Sequence, residues 1–372
     1  VGVSWIPLIA AVLRRVAAGL TAAGAVVLWR IPRCRDGDEG AGVIARTTVI
    51  IPARDEEDTI PRLLASLARQ RVAPHRVMVV DDHSRDATAE RARAHGAVVV
   101  RPPDKPAGWT GKTWACYHGA RAADGEYLLF LDADVWLEDD GLRRLGEAMA
   151  RGGGVVSVQP YHVVKSFAEQ FSSFFHIMMM SGIGAFTLGA EKMRPAGLFG
   201  QCLFCRRDDY LTAGGHERVK ESVLENLALG RLFAQAGLPL RLYGGRGTLN
   251  VRMYPGGFGE LIDGWSKAFV NGAGASNPWT LVLGACWIAG CILAPVAVVL
   301  GLSCRVRWRS LALYALYVGQ VRWMLVRLGG FRLGTAVLFP LHCLFFCAVF
   351  VYSALRVHLF HSVRWKGRPV GR

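Results

Sequence analysis

Leu128-Leu129-Phe130-Leu131-Asp132-Ala133-Asp134-Val135 is an apolar run that ends in two carboxylates one residue apart. An unbroken apolar run of this length predicts a buried strand. Side chains on a strand alternate faces, so Asp132 and Asp134 are expected to converge on one side. At the carboxyl end of a buried strand they would stand where open α/β sheets place their ligands. Two hard oxygen ligands suit Mg²⁺ or Mn²⁺, which can neutralise a diphosphate leaving group. An isolated Asp-x-Asp triplet is a weak signal, because a solvated strand end explains it too. Here it closes an ordered series.

Upstream, strand signals at Thr47 to Ile51, Val77 to Val80, Val98 to Val100 and Tyr127 to Leu131 alternate with helical periodicity. The helical stretches are Ile60 to Arg69, Thr88 to His95 and Thr113 to Ala123. This alternation predicts an α/β domain with a mostly parallel sheet and flanking crossover helices. The strand ends carry polar motifs in order: Pro52-Ala53-Arg54-Asp55-Glu56-Glu57, then Asp81-Asp82-His83-Ser84, then Gly108-Trp109-Thr110-Gly111-Lys112, then the Asp132-Ala133-Asp134 triplet. A helix cap after a strand is the bland reading of Asp81-Asp82. A solvated lysine is the bland reading of Lys112.

The chain has 372 residues, of which 52% are hydrophobic, and its mean hydropathy is +0.26. That is too apolar for an ordinary soluble enzyme, and the apolar residues gather at the two flanks. Three divisions are expected: residues 1–42 as an N-terminal membrane anchor with a basic flank, 43–276 as a globular domain, and 277–372 as C-terminal membrane segments with a basic tail. The net charge is +15, yet the arginines cluster beside apolar segments: Arg30, Arg33 and Arg35 after the first, and Arg364, Lys366, Arg368 and Arg372 at the tail. Anionic lipid headgroups explain that placement, and no nucleic-acid partner is expected. Cys202 and Cys205 form a lone Cys-x-x-Cys without the second pair that zinc needs.

The N-terminal stretch Trp5 to Trp29 reads either as one tilted membrane helix with snorkelling Arg14 and Arg15, or as an interfacial helix followed by a short span. By the positive-inside rule, the arginines that follow keep the next domain in the cytosol. Trp279 to Leu302 and Gly334 to Leu355 are long enough to span. Leu311 to Leu328 carries Arg322 and Arg327, so within a membrane it must line protein or lie at the interface. Three spans would put Arg305, Arg307, Arg309 and the tail outside; two would leave Arg305, Arg307 and Arg309 outside. The chain is expected to be a multi-pass protein of the cell membrane.

The ordered motifs from about Thr47 to Ala275 resemble the membrane-associated glycosyltransferases of family 2, which have the nucleotide-sugar-binding fold called GT-A. Ser157-Val158-Gln159-Pro160-Tyr161-His162, Glu169-Gln170-Phe171 with Phe174-Phe175, and Gly182-Ile183-Gly184-Ala185-Phe186-Thr187 are similar to the carotenoid-acid glycosyltransferases within it. So are Arg252-Met253-Tyr254-Pro255-Gly256-Gly257, Gly264-Trp265-Ser266-Lys267 and Trp365-Lys366-Gly367-Arg368. The resemblance implies an inverting transferase that moves a hexose from a nucleotide diphosphate sugar, UDP-glucose by expectation, to a carotenoid carboxylic acid in the bilayer. It implies that Pro52, Ala53, Arg54, Glu56 and Asp81 bind the nucleoside, Lys112 the diphosphate, Asp132 the ribose or the metal, and Asp134 the metal. An Asp81 carboxylate accepting from the imide N–H of uracil would discriminate that base. Asp82 is expected to order the turn before Ser84.

The resemblance also implies a base at the start of a helix, where the family commonly has Glu-Asp and this chain has Glu225-Asn226. An Asn amide cannot act as a base. Either Glu225 serves, or the acceptor needs no base, because a carboxylic acid is already ionised near neutral pH with a reference pKa of about 4. His216 is a further candidate beside the site, or a satisfied structural histidine. Gln320-Val321-Arg322-Trp323 is one residue short of the Gln-x-x-Arg-Trp motif of processive members, so transfer of a single sugar is expected. Phe171, Phe174, Phe175, Ile177 and Met178 to Met180 read as an interfacial lip for a greasy acceptor or as ordinary core. Competing readings are a transferase to a hopanoid, glycolipid or polyprenyl phosphate, and a non-catalytic membrane scaffold that retains the sugar-nucleotide pocket.

Overall fold

The computed structural model describes residues 5–222, 224–272, 276–301, 307–360, 364–365 and 368–369. Leu302, Arg305, Lys366, Gly367 and Arg372, together with Ala275 at the end of the resembling stretch, lie outside the described residues. Two compact units form. One comprises Ile31–Val163 and Pro195–Arg252, and the other Val1–Arg30, Val164–Arg194 and Met253–Arg372.

The first unit is built on strands β1 (Thr47–Ala53), β2 (Arg76–Asp81), β3 (Val98–Val100), β4 (Tyr127–Leu131), β5 (Val135–Leu137), β6 (Val155–Gln159), β7 (Tyr161–His162), β8 (Cys202–Arg206), β9 (Leu240–Gly244) and β10 (Leu249–Val251). Seven of them make one sheet in the order β3-β2-β1-β4-β8-β6-β9, and β5, β10 and β7 make a second, three-stranded sheet. Strands β3, β2, β1 and β4 run parallel, as the alternation with helices requires. β8 enters antiparallel between β4 and β6. β4 is buried along its whole length, which is what a central strand covered on both faces demands. Its apolar side chains contribute about 1.5–3 kcal/mol each when fully buried.

The strands and helices expected between Thr47 and Leu131 form within a residue or two of where periodicity put them. One expectation needs correction. β4 stops at Leu131, and Asp132, Ala133 and Asp134 occupy the turn between β4 and β5. Strand alternation therefore does not bring the two carboxylates together. The turn does, with Asp132 N–H donating to the Gln201 carbonyl (3.1 Å).

The second unit is helical. The helices Ile6–Val27, Pro278–Gly301 and Phe339–Phe360 supply three segments long and apolar enough to cross a membrane. Close approach of Ile6–Val27 to Pro278–Gly301 needs small residues, as membrane helix pairs commonly do. A Cβ on Gly24 would meet Trp287 Cδ1 at 2.3 Å, and one on Gly290 would meet Leu20 Cβ at 3.0 Å. Trp5, Trp29, Trp279 and Trp308 stand exposed at helix ends, where an interfacial belt of tryptophans belongs. The Arg307–Leu328 helix solves its charge problem with carbonyls. Arg327 donates to Leu28 and Trp29 oxygens (2.9 and 3.2 Å) and lies over the Trp323 ring; Arg322 donates to the Phe331 oxygen (2.7 Å). Gln320 bridges helices, accepting from Trp287 Nε1 and donating to the Thr21 oxygen (both 2.8 Å).

The lip reading of residues 171–180 is corrected. Phe171, Phe174, Phe175, Ile177 and Met180 are all buried, with Phe174 stacked on Trp287 and Phe175 on Trp265. They are the core of the helical unit.

Candidate active site

One cleft in the first unit is lined by Pro52, Lys112, Cys116, Phe130, Asp132, Phe199, Gly200, Leu203, His216, Glu225, Asn226 and Leu229. Its polar floor is an ion triad. Lys112 follows Gly111 at the start of the Gly111–Ala122 helix, whose N-cap Thr110 accepts from the Thr113 N–H (3.2 Å). The Lys112 ammonium touches Asp132 Oδ1 at 2.7 Å and Glu225 Oε1 at 3.1 Å, and donates to the Gly200 carbonyl at 3.1 Å. Desolvation opposes that charge, and the two carboxylates more than offset it, so the ammonium stays protonated far above the usual lysine range. Three partners occupy all three of its N–H groups.

Glu225 opens the Glu225–Gln235 helix. Asn226 clamps that helix to the preceding loop, with its side-chain amide nitrogen donating to the Leu198 oxygen and its backbone carbonyl accepting from the Leu198 N–H (3.2 Å). Glycines permit the close fit. A Cβ on Gly197 would sit 2.4 Å from Leu227 Cα, and one on Gly230 would sit 2.5 Å from Gly197 Cα. A side chain at Gly200 would point among Lys112, Asn226 and Glu225, each about 3.5 Å away (3.5, 3.6 and 3.6 Å); its absence keeps the cleft open.

His216 is 3% exposed. Tyr210 Oη accepts from the His216 backbone N–H (3.0 Å), so its own proton goes to His216 Nδ1 (2.8 Å). That assignment places the ring proton on Nε2. Gly215, at φ +47°, allows the arrangement, since a Cβ there would meet the Tyr210 ring at 2.3 Å. Burial, aided by the nearby Lys112 charge, pushes the His216 pKa down to about 3. The ring is a neutral donor, not a base in waiting.

Asp134 stands at the turn with its residue exposed to solvent. Desolvation, the Asp132 carboxylate and the Glu56 carboxylate push its carboxyl up to about 7, with Lys112 opposing. Given that exposure, the like charges are the cause that matters. Among the described residues no three His, Cys, Asp or Glu side chains are grouped to hold a metal by themselves. Mg²⁺ and Mn²⁺ do not need such a cage, because one or two carboxylates with substrate phosphates and water suffice. A carboxylate pair short of positive charge, with Asp132 already on Lys112 and Asp134 free, fits a dication.

The expected nucleoside residues lie beside the cleft. Ala53 ends β1 directly across from Asp81 at the end of β2. The loop after Ala53 is knitted to the loop after Asp82: Asp55 N–H donates to Ser84 Oγ, Arg85 N–H to Asp55 Oδ1, Glu56 N–H to Thr88 Oγ1 and Glu57 N–H to Asp86 Oδ2. Arg54 pairs with Asp82 at 3.2 Å. The turn-ordering role expected of Asp82 belongs to Asp81, whose Oδ1 accepts from the Ser84 N–H (2.9 Å). Asp81 Oδ2 accepts from Arg101 Nη2 at 2.6 Å. Burial opposes ionisation of Asp81, and the bonds from Ser84 and Arg101 outweigh it, holding the carboxyl below the usual range. Pro52, Lys112, Asp132, Glu225 and Asn226 thus share the cleft; Ala53, Arg54, Glu56 and Asp81 do not line it. Arg101, Gly200 and Phe199 carried no signal in the sequence, since each acts through a neighbour that only the fold supplies.

Residues 48–209 match the family described as Glycosyl transferase family 2. Over 331 residues the chain is 36% identical to the 4,4'-diaponeurosporenoate glycosyltransferase of Staphylococcus aureus (strain USA300), spanning 86% of this chain and 87% of that one. The protein of the same name from strain MRSA252 is equally similar, at 36% over the same shares. Among solved structures, the mannosyltransferase PcManGT from Pyrobaculum calidifontis, in complex with GDP-Man and Mn²⁺, aligns with a TM-score of 0.52 at 17% identity, covering 91% of this chain and 99% of that one. At that identity the likeness speaks for the GT-A fold alone. Similarity at the level of the Staphylococcus proteins, sustained across most of both chains, is enough to place it: the chain belongs to glycosyltransferase family 2.

Proposed function

We propose that this glycosyltransferase moves one hexose from UDP-glucose to the carboxyl group of a carotenoid acid dissolved in the bilayer, with inversion at the sugar carbon. The observation that carries the reading is the 36% identity to a diaponeurosporenoate glycosyltransferase over 86% of the chain. An acyl acceptor also suits the cleft. Glu225 is engaged by Lys112, and His216 is a fixed donor, so no free base stands ready for an alcohol. A carboxylate arrives ionised. Its oxygen attacks the anomeric carbon, the bond from that carbon to the diphosphate oxygen breaks, and the nucleoside diphosphate leaves with the electron pair.

Asp134 and Asp132 would hold Mg²⁺ or Mn²⁺, which when bound offsets the charge of the leaving diphosphate. Lys112 supplies a fixed cation beside the same carboxylates, and Glu225 holds that cation in place. The uracil assignment leans on Asp81, with Ala53, Arg54 and Glu56 shaping the adjoining loop. The Arg101 guanidinium covers Asp81 and is 56% exposed, so an incoming base edge has to move it. The sheet unit, Ile31–Val163 with Pro195–Arg252, faces the cytosol, because Arg30, Arg33 and Arg35 follow the first apolar helix.

The test is turnover by the purified, detergent-solubilised chain, given the carotenoid acid with UDP-glucose or GDP-mannose in turn. The expected product is an alkali-labile hexosyl ester formed from UDP-glucose. An acid left untouched with every donor would contradict the acceptor, and turnover with GDP-mannose alone would contradict the donor.

A further inference from the structure

We propose that His216 and Asn226 form a pair of uncharged donors that receives the acceptor's carboxylate oxygens, and that this pair sets a preference for an acid over an alcohol. The assignment rests on the acceptor reading above and adds which side chains recognise it.

The argument is an inventory of hydrogen. An anionic acceptor entering this cleft meets Asp132 and Glu225, two carboxylates that repel it. Among the described residues the one cation lining the cleft, Lys112, has its N–H groups taken by those carboxylates and by the Gly200 oxygen. Pro52, Cys116, Phe130, Phe199, Leu203 and Leu229 offer the cleft no strong donor side chain. Two donors remain on the lining side chains. One is His216 Nε2–H, fixed there because Tyr210 fills Nδ1. The other is the second N–H of the Asn226 amide, whose first is held by the Leu198 oxygen.

Both donors are pre-aimed by a partner on their far side, so little freedom is lost when an acceptor arrives. His216 stands against the Phe130 and Tyr210 rings, where a hydrogen bond to a charged oxygen gains strength, and Asn226 stands beside the Lys112–Glu225 pair. Neither brings a negative charge. An aspartate at position 226 would add a third carboxylate at the point of entry, and a histidine protonated on Nδ1 would present a lone pair where a donor is needed. Tyr210 is thus a positioning residue, acting through the His216 tautomer. An alcohol gains less from the pair, since it carries no charge to be shared between two donors.

The experiment uses the full-length protein in detergent with saturating nucleotide sugar, reading kcat and KM separately on a polyene acid and the inhibition constant of the matched polyene alcohol against it. Hydrogen bonds to a charged group are worth enough that His216→Ala and Asn226→Asp should each raise KM for the acid by about 10- to 100-fold. The inhibition constant of the alcohol and KM for the nucleotide sugar should move little. His216→Gln, which keeps an N–H donor, should recover most of the loss, and Tyr210→Phe should show a milder version of it. Unchanged binding of the nucleotide sugar certifies that each variant is folded. Equal losses of affinity for acid and alcohol, or a fall in kcat with KM for the acid unchanged, would overturn the donor pair while leaving the acceptor reading intact. Wild-type protein that consumes donor by hydrolysis yet never glycosylates the acid would overturn that reading, and the pair with it.

Discussion

Lys112 carries a double duty: it neutralises Asp132 and Glu225 at once, at 2.7 and 3.1 Å. Replacing it by methionine leaves two half-buried carboxylates facing each other. Breaking a buried pair typically costs about 3–5 kcal/mol; with Lys112 29% exposed, about 2 kcal/mol is the expected loss in a denaturant melt, and Lys112→Met with Glu225→Gln should regain most of it. Asp134 stands outside that triad and is the freer ligand for a dication. Asp134→Asn is therefore expected to abolish transfer while leaving the melt unchanged or raised, since metal stabilisation of a leaving diphosphate is worth several kcal/mol and the change removes like-charge repulsion. Near-normal activity with saturating Mn²⁺ would contradict the assignment. Gly200→Val should fold normally, as its Cβ meets only ordinary contacts near 3.5 Å, yet lose turnover because the branches fill the cleft. Most of the triad was legible before any coordinates, since Lys112, Asp132 and Glu225 each sit in a motif of recognisable spacing. Arg101 was not, because nothing in a lone arginine after a valine run tells that β2–β3 pairing will swing it onto Asp81.

At the scale of elements, the start of the Glu225–Gln235 helix depends on the glycine contact between Gly197 and Gly230. Overpacking at such a contact costs about 1–3 kcal/mol. Gly230→Ala should lower the melting temperature and reduce turnover together, because the helix that carries Glu225 and Asn226 must back away. A variant with full activity and stability would show that the contact is slack. β7 supplies a pH test. His162 is fully buried there, and burial, with Arg252 nearby, pushes its pKa down to about 3. The unfolded chain takes up a proton below about 6.5 that the folded one refuses. Stability should thus be full above about pH 6.5 and fall by up to about 1.4 kcal/mol per pH unit on the way to pH 3, from this group alone. His162→Gln should flatten that slope when unfolding is followed across the range. Elements with longer apolar or periodic runs, β1, β2, β4 and their helices, were readable in the sequence, and β3 by its three consecutive valines. β5, β7 and β10 were not, being two or three residues long, too short for any period to show. The triplet at Asp132 misled for the opposite reason: an apolar run hides the residue at which a strand becomes a turn.

The whole molecule joins a charged sheet domain to an apolar helical unit. Exposed tryptophans at the helix ends and apolar faces such as Leu8, Ile9, Val12 and Val16 call for lipid around that unit. The protein should stay with membranes through high salt and carbonate and need detergent for release, because apolar spans and not screened charge hold it. Release by salt would show the flanks to be peripheral. The apolar flanks were plain from hydropathy. How Arg322 and Arg327 are tolerated was not, since the carbonyls that receive them lie far away in sequence or beyond the helix. The central claim, that this enzyme glycosylates a carotenoid acid, is tested most directly by mass spectrometry of pigments from a host that makes such an acid, with and without this chain. The account predicts that the free acid falls and an alkali-labile pigment heavier by one hexose takes its place, and that Asp134→Asn prevents the exchange. Pigments identical in the two hosts, with the protein present in the membrane, would contradict it.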